Sequence, residues 1–283
     1  MTSEQINQFY KRIGLAEYTK SKGEQSKDEQ SKDEQSKNVK IKDVSTLDAK
    51  TLNQIIWSGM THIPFENFDV YDEKKTPDLT VEHLYKKIVE DSRGGYCFES
   101  NHLLFDFLES IGYEIYPILV RIVWGRGGVP TATHRAAIVT IEQEQYYCDI
   151  GYGGPAPRGI VKLDKHPQQI RGEWYEVMET EQGTVILKEK DGEYQPMFLF
   201  ENRKVLEVDF ELPNFYCATA KECPFTQARI ANLCTEDGSI ALMNNKITIR
   251  ENGKTVEIET SNPQELSENL YKYFDINYRV ISI

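Results

Sequence analysis

The stretch Arg93-Gly94-Gly95-Tyr96-Cys97-Phe98-Glu99-Ser100-Asn101 constrains this chain more than any other. A glycine pair stops one element there, and an amphipathic helix begins at or just before Cys97. Cys97, Asn101, Leu104, Leu108 and Ile111 recur at i, i+4, i+7, i+11 and i+14, which is one face of a helix. The pattern sets Cys97 at the top of a buried stripe, in a first helical turn. The positive end of the helix dipole and unpaired N–H groups favour a thiolate at that place, and Arg93 adds positive charge nearby. A small buried core residue is the alternative reading of such a cysteine.

The rest of the chain narrows what a reactive thiol would serve. A length of 283 residues allows one large domain or two to three small lobes. The net charge of −12 argues against nucleic acid and anionic membranes as partners. No run approaches the ~20 apolar residues of a membrane span. The opening Met-Thr-Ser-Glu-Gln lacks the basic and apolar parts of a signal peptide, so the expected location is the cytoplasm. The five cysteines (97, 148, 217, 223 and 234) are odd in number and irregular in spacing, against a disulfide framework. Neither Cys-x-x-Cys nor His-Glu-x-x-His occurs, so no metal is expected. An anionic ligand needs a local basic site, for which Arg93, Arg121, Arg126 and Arg135 cluster in sequence.

Taken in order, residues 4–18 predict a helix with Ile6, Phe9, Tyr10 and Ile13 inside. Residues 21–38 repeat Ser-Lys-Gly/Asp-Glu-Gln three times without one apolar residue, which predicts a solvated, mobile insertion. Helices are expected over 47–60 and 81–89, the second from Val81, Leu84, Tyr85, Ile88 and Val89. The period then changes. Strands are expected over 118–124, 134–141, 145–150, 158–163, 172–178, 183–189, 193–200 and 204–210, with a turn at Asp191-Gly192. Consecutive strands without helices between them suggest an antiparallel barrel or strongly bent sheet. After Pro213 a helix over 225–233, a hairpin across Asn252-Gly253 and a helix begun by Asn262-Pro263 are expected. The fold class is α+β. A helical lobe carrying Cys97 spans 1–112, a β-rich lobe 113–212, and a mixed lobe 213–283.

A cysteine nucleophile needs a base that is itself oriented. His102 lies about 140° around the helix from Cys97, His83 is on a polar face, and His62 and His166 lie in or beside loops near prolines. His134 opens an apolar strand after the glycine-containing loop Gly125–Pro130, a sensible but not unique candidate. Asp149 sits in the apolar run Tyr-Tyr-Cys-Asp-Ile and needs a partner. It pairs with a catalytic imidazole or caps the following glycine amides. A tight turn at Gln143-Glu144 puts Asp149 opposite Ile138, on His134's face but roughly 13 Å along it. A shifted register, bulge or bend is then required to join them.

Five segments together resemble the arylamine N-acetyltransferases, in order and spacing: Phe9-Tyr10-Lys11-Arg12-Ile13-Gly14, Ile63-Pro64-Phe65-Glu66-Asn67, Arg93 to Glu99, Thr133-His134, and Asp149-Ile150-Gly151-Tyr152-Gly153. The repeats at 21–38 depart from the family pattern, and the third lobe matches it weakly. The resemblance implies a helical bundle, a central antiparallel β-barrel and an α/β lid, with a cysteine-protease-like Cys97–His134–Asp149 core. It implies ping-pong acetylation of arylamines or arylhydrazines, possible O-acetylation of N-hydroxyarylamines, and a role in xenobiotic metabolism. Acetyl-CoA is the implied cosubstrate, with no metal. Phe65, Tyr96, Phe98, Trp124 and Val129 are the candidates for an aromatic slot. The loop Gly125, Arg126, Gly127, Gly128, Val129 to Thr131 would offer N–H groups to the phosphates of CoA. Competing readings are a related amide synthase, a cysteine hydrolase or transglutaminase-like enzyme, and a non-catalytic binding protein on the same scaffold.

Overall fold

A computed structural model describes residues 1–15 and 46–283. The Ser-Lys-Asp-Glu-Gln repeats therefore lie outside the described residues, as does the end of the first expected helix. That helix, α1 (Ser3–Arg12), starts where the Thr2 side chain and Gln5 cap each other, and buries Ile6, Phe9 and Tyr10. Next come α2 (Ala49–His62), β1 (Phe65–Glu66), α3 (Phe68–Tyr71) and α4 (Val81–Tyr85), the last prolonged by a wide π turn through Glu90. The helix from Cys97 is α5 (Cys97–Ile111), ended by Gly112 in the left-handed conformation. One apolar cluster joins α1, α2, α4 and α5 to the adjoining face of the strands that follow.

Those strands are β2 (Glu114–Ile122), β3 (His134–Ile141), β4 (Glu144–Cys148), β5 (Val161–Lys162), β6 (Gln168–Ile170), β7 (Glu173–Thr180), β8 (Gly183–Lys190) and β9 (Glu193–Phe200). They form one antiparallel eight-stranded sheet in the order β5-β4-β3-β2-β9-β8-β7-β6. The sheet curls around Ile118, Val120, Ile138, Tyr147, Tyr175, Ile186 and Phe198. Its two edges meet where the Gln168 side chain bonds both Lys162 N–H (2.9 Å) and Lys162 O (2.8 Å). The barrel is thus nearly closed, which removes the exposed edges of an open sheet.

The chain leaves the barrel through a 3₁₀ turn (Glu207–Phe210) into α6 (Glu211–Thr219) and α7 (Pro224–Gln227). It then makes β10 (Ile230–Thr235), β11 (Gly238–Met243), β12 (Lys246–Glu251), β13 (Lys254–Glu259) and α8 (Pro263–Phe274). The second sheet has the order β1-β10-β11-β12-β13, so a strand from the helical part completes a sheet of the C-terminal part. Leu266, Leu270 and Phe274 of α8 are fully buried against it.

Two sequence expectations fail here. Residues 204–210 are not a strand: buried Arg135 holds the exposed Glu207 through two bonds at 2.7 and 2.8 Å, and the backbone makes a 3₁₀ turn there. The helix expected over 225–233 is a single turn followed by β10. Asn67 stops it, donating to Phe225 O and Ala228 O (both 2.8 Å) and accepting from Ile230 N–H at 2.7 Å. Smaller differences are a barrel entry at Glu114 rather than 118, and a strand at 158–163 reduced to Val161–Lys162.

Beneath the start of α5 lies a buried charge network. Lys87 Nζ is 2.6 Å from Glu99, 2.8 Å from Asp69 and 3.7 Å from Glu66. Arg93 reaches Glu66 at 2.7 Å and Asp69 at 2.8 Å. Three carboxylates share two cations, and burial pushes Glu99 up to about 7 despite Lys87 beside it. Removing one partner of such a set leaves uncompensated buried charge. Lys87→Met is expected to lower stability by about 3–5 kcal/mol, read as a melting temperature lower by roughly 10 °C. A shift of only a degree or two would show that the network contributes little.

Candidate active site

Cys97 is the first residue of α5, and what holds that end in place is local. The Glu99 carboxylate accepts the Tyr96 N–H at 3.1 Å, satisfying a donor that the helix cannot. The segment before it is clamped to β1: Glu66 N–H bonds Gly95 O and Gly95 N–H bonds Pro64 O, each at 3.2 Å. A Cβ on Gly94 would collide with the Pro64 carbonyl, which is why a glycine stands there. Arg12 fastens the same loop, donating to Arg93 O at 3.2 Å and to Ile88 O at 2.8 Å.

His134 is the first residue of β3, and its Nε2 lies 2.6 Å from Asp149 Oδ2. Cys97 interacts with the same buried imidazole. Cys97 Sγ also lies 3.8 Å from Thr133 O. All three side chains are almost wholly buried. Burial works against the imidazolium, but Asp149 and Cys97 outweigh it and raise His134 to about 10. Asp149 loses hydration too, yet His134, Asn101 and the Gly151 N–H keep its carboxyl below the usual range.

Strand register brings His134 and Asp149 together. The β3–β4 turn falls at Glu142-Gln143, both in the left-handed region (φ 50° and 71°), one residue earlier than expected. Ala137 therefore faces Cys148, and continuing that pairing sets Asp149 at the level of Ala136, two residues from His134 instead of four. Asp149 also stands just past the end of β4, free to bend inward. Asp149 makes both contacts at once: Oδ2 meets the imidazole, and Oδ1 accepts the Gly151 N–H at 2.8 Å.

Asn101 and Tyr147 complete the arrangement, and the sequence reading assigned neither to it. Asn101 Nδ2 donates to Asp149 Oδ1 (2.8 Å) and Arg135 O (2.6 Å), and its Oδ1 accepts the Ile150 N–H at 2.9 Å. Tyr147 OH donates to Asp149 Oδ2 at 2.9 Å. Signals were present: an amide within an otherwise apolar helical stripe, and a tyrosine two residues from Asp149 on the same strand face. Gly151 permits the close approach, because a Cβ there would sit 2.9 Å from Cys97 Cα.

The expected binding residues are divided. Phe65, Tyr96 and Phe98 pack in one apolar cluster with Cys97, where Tyr96 and Phe98 are fully covered. Phe65 also lines a cavity of about 490 Å³ with Tyr152, whose ring meets His134 edge-on at 5.7 Å between centroids. Trp124 is half-buried at the rim of the barrel interior. Gly125, Arg126, Gly127, Gly128, Val129 and Thr131 are exposed. Gly125, Arg126, Gly128 and Val129 border a hollow of about 800 Å³ with Met178, Val185 and Leu199. The four arginines do not form a common anion site. Arg93 is held by Glu66 and Asp69, Arg135 is buried on Glu207, and Arg121 donates to Pro130 O at 2.6 Å. Arg126 remains exposed, near enough to act on Tyr152, which burial pushes up to about 12 and Arg126 pulls down.

Among the described residues no group of three or more His, Cys, Asp or Glu is placed to hold a metal ion, and no helix is long and apolar enough to cross a membrane. The N-acetyltransferase family model matches residues 48–281. An arylamine N-acetyltransferase of Mycolicibacterium smegmatis is 28% identical over 232 residues, covering 80% of this chain and 84% of that protein. The arylamine N-acetyltransferase / N-hydroxyarylamine O-acetyltransferase of Salmonella typhimurium is 31% identical over 201 residues, covering 69% and 70%. Among solved structures, the Mycobacterium marinum arylamine N-acetyltransferase in complex with CoA superposes with a TM-score of 0.74 at 27% identity, covering 81% of this chain and 87% of that one.

Proposed function

The chain belongs to the arylamine N-acetyltransferase family, and we propose that it moves an acetyl group from acetyl-CoA to an arylamine or arylhydrazine through a thioester on Cys97. The observation that carries this reading is the buried His134–Asp149 contact at 2.6 Å, with Cys97 acting on the same imidazole. In the first half-reaction the Cys97 sulfur attacks the thioester carbonyl, and the CoA sulfur leaves with the proton held on His134. In the second, the arylamine nitrogen attacks acetyl-Cys97 while the same imidazole accepts its proton. An arylamine is largely unprotonated near neutral pH, so it attacks without prior deprotonation. Asp149 holds the ring in orientation and favours its cationic form.

The same proposal assigns three lobes: 1–112 carrying the nucleophile, 113–212 carrying His134 and Asp149, and 213–283 closing over them. Phe65 and Tyr152 are suited to flank the acceptor ring, since they stand beside Cys97 and His134 and face a cavity. Arg126 and the backbone of its loop are suited to the phosphates of CoA. Five free cysteines fit the reducing cytoplasm.

Initial rates with acetyl-CoA and an arylamine both varied are expected to give parallel double-reciprocal lines, with labelled CoA exchanging into acetyl-CoA in the absence of amine. Steady CoA release without an acceptor, or cleavage of glutaminyl amides, would instead establish the hydrolase reading. Intersecting lines without exchange would rule out the acetyl-enzyme.

A further inference from the structure

Two further thiols stand beside Cys97, brought there by the C-terminal part of the chain. Cys217, on the inner side of α6, has its Sγ 3.9 Å from Thr133 O, the same carbonyl that Cys97 Sγ approaches at 3.8 Å. Cys217 is in turn close enough to Cys223, at the start of α7, for each thiol to shift the other's ionisation. All three pack in one apolar cluster and are 1–6% exposed. Cys148 and Cys234 belong to a different part of the core. Nothing in acetyl transfer calls for Cys217 or Cys223.

We propose that Cys217 and Cys223 form a resolving pair that reduces Cys97 after a hydroperoxide has oxidised it, giving the protein a thiol-dependent peroxide-reducing activity. This rests on the reading of Cys97 as a nucleophile. In the first step Cys97 sulfur attacks the terminal peroxide oxygen, the O–O bond breaks, and the alcohol (water, for hydrogen peroxide) leaves with the proton of His134. Cys97 is then a sulfenic acid. The Cys217 sulfur attacks the Cys97 sulfur, and the hydroxyl leaves as water with the Cys217 proton, forming a Cys97–Cys217 disulfide. Cys223, as thiolate, attacks Cys217, which releases Cys97 and leaves a Cys217–Cys223 disulfide. In sum, one peroxide gains two electrons to become alcohol and water, and two thiols lose them. A soluble dithiol then restores the pair.

The role of Cys223 follows from the pair's asymmetry. The hydrogen bond from Cys217 lowers Cys223 to about 7, with burial opposing, while that bond and burial push Cys217 far up. Cys223 is therefore the thiolate that attacks Cys217 in the last step. The sequence separation of the two residues is short, but only folding sets Cys217 against Thr133.

The test treats reduced protein with a stoichiometric amount of hydrogen peroxide, blocks free thiols, and maps peptides by mass spectrometry. Wild type is expected to hold a Cys217–Cys223 disulfide and a free Cys97, with transferase activity retained. Cys217→Ala, with equal activity before treatment, is expected to lose nearly all of it and to carry sulfinate on Cys97. Cys223→Ser is expected to trap an inactive Cys97–Cys217 disulfide that dithiothreitol restores. Cys97→Ser is expected to form no Cys217–Cys223 disulfide at this dose. The proposal is overturned if that disulfide forms equally in Cys97→Ser, or if Cys97 overoxidises as fast in wild type as in Cys217→Ala. Labelling the same samples with acetyl-CoA separates the two ideas, because acetyl-Cys97 reports on the transferase alone.

Discussion

Acetyl-CoA alone is expected to add one acetyl group to the protein, mapped by peptide mass spectrometry to Cys97, and an arylamine is expected to remove it. That result is expected because, of the five free cysteines, only Cys97 interacts with a buried imidazole that Asp149 keeps charged. Cys148 is driven far up by complete burial, and Cys234 is raised by the same cause. Cys217 is raised by its bond to Cys223. Cys223 is the competitor, since that bond brings it down to about 7. A general alkylating agent can therefore label Cys223 as well, and acetyl-CoA, which needs the imidazole to protonate the departing thiolate, is the discriminating reagent. Cys97→Ser is expected to fold and to lose acetylation and turnover altogether, because a serine hydroxyl is far less acidic than a thiol. Acetyl transfer by Cys97→Ser, or a thioester on Cys223, would end this assignment.

Asp149→Asn carries the second large effect. The carboxylate accepts from Asn101, Gly151 and Tyr147 besides meeting His134, so the amide retains some bonds but supplies no charge. By comparison with triads that lose their carboxylate, kcat/KM is expected to fall on the order of 10³- to 10⁴-fold. The pH profile gives a second readout. His134 in the wild type holds its proton up to about 10, so the imidazolium is lost only above that. In Asp149→Asn, burial acts on the imidazole without its main opposing charge, so the alkaline limb of activity moves to lower pH. A folded Asp149→Asn protein with an unchanged rate and an unchanged alkaline limb would remove Asp149 from the mechanism.

The helix at Cys97 was legible because everything that starts it is local: two glycines, Glu99 two residues on, and an apolar stripe at helical spacing. The same holds for α8 behind Asn262-Pro263, for the hairpin turn at Asn252-Gly253, and for the run of barrel strands. What failed depended on distant partners. The segment after Pro224 has helical spacing, but Asn67, 163 residues before Ile230, ends the helix and β1 and β11 claim it as a strand. The arginines read as an anion site, because their countercharges Glu66, Asp69 and Glu207 are adjacent to them only in three dimensions.

By itself the sequence determined the residue types of the candidate site, the helix start that presents Cys97, and the strand that opens on His134. Folding alone decided the distances. The β3–β4 turn, placed one residue earlier than expected, moves Asp149 two residues closer to His134, and side-chain direction alternates along a strand, so only an even displacement keeps both on one face. Folding also decided that Asn101 and Tyr147 hold Asp149, and that Cys217 and Cys223 come to lie beside Cys97. Periodicity is a property of neighbours along the chain, whereas register, countercharge and thiol proximity arise only between segments that fold together.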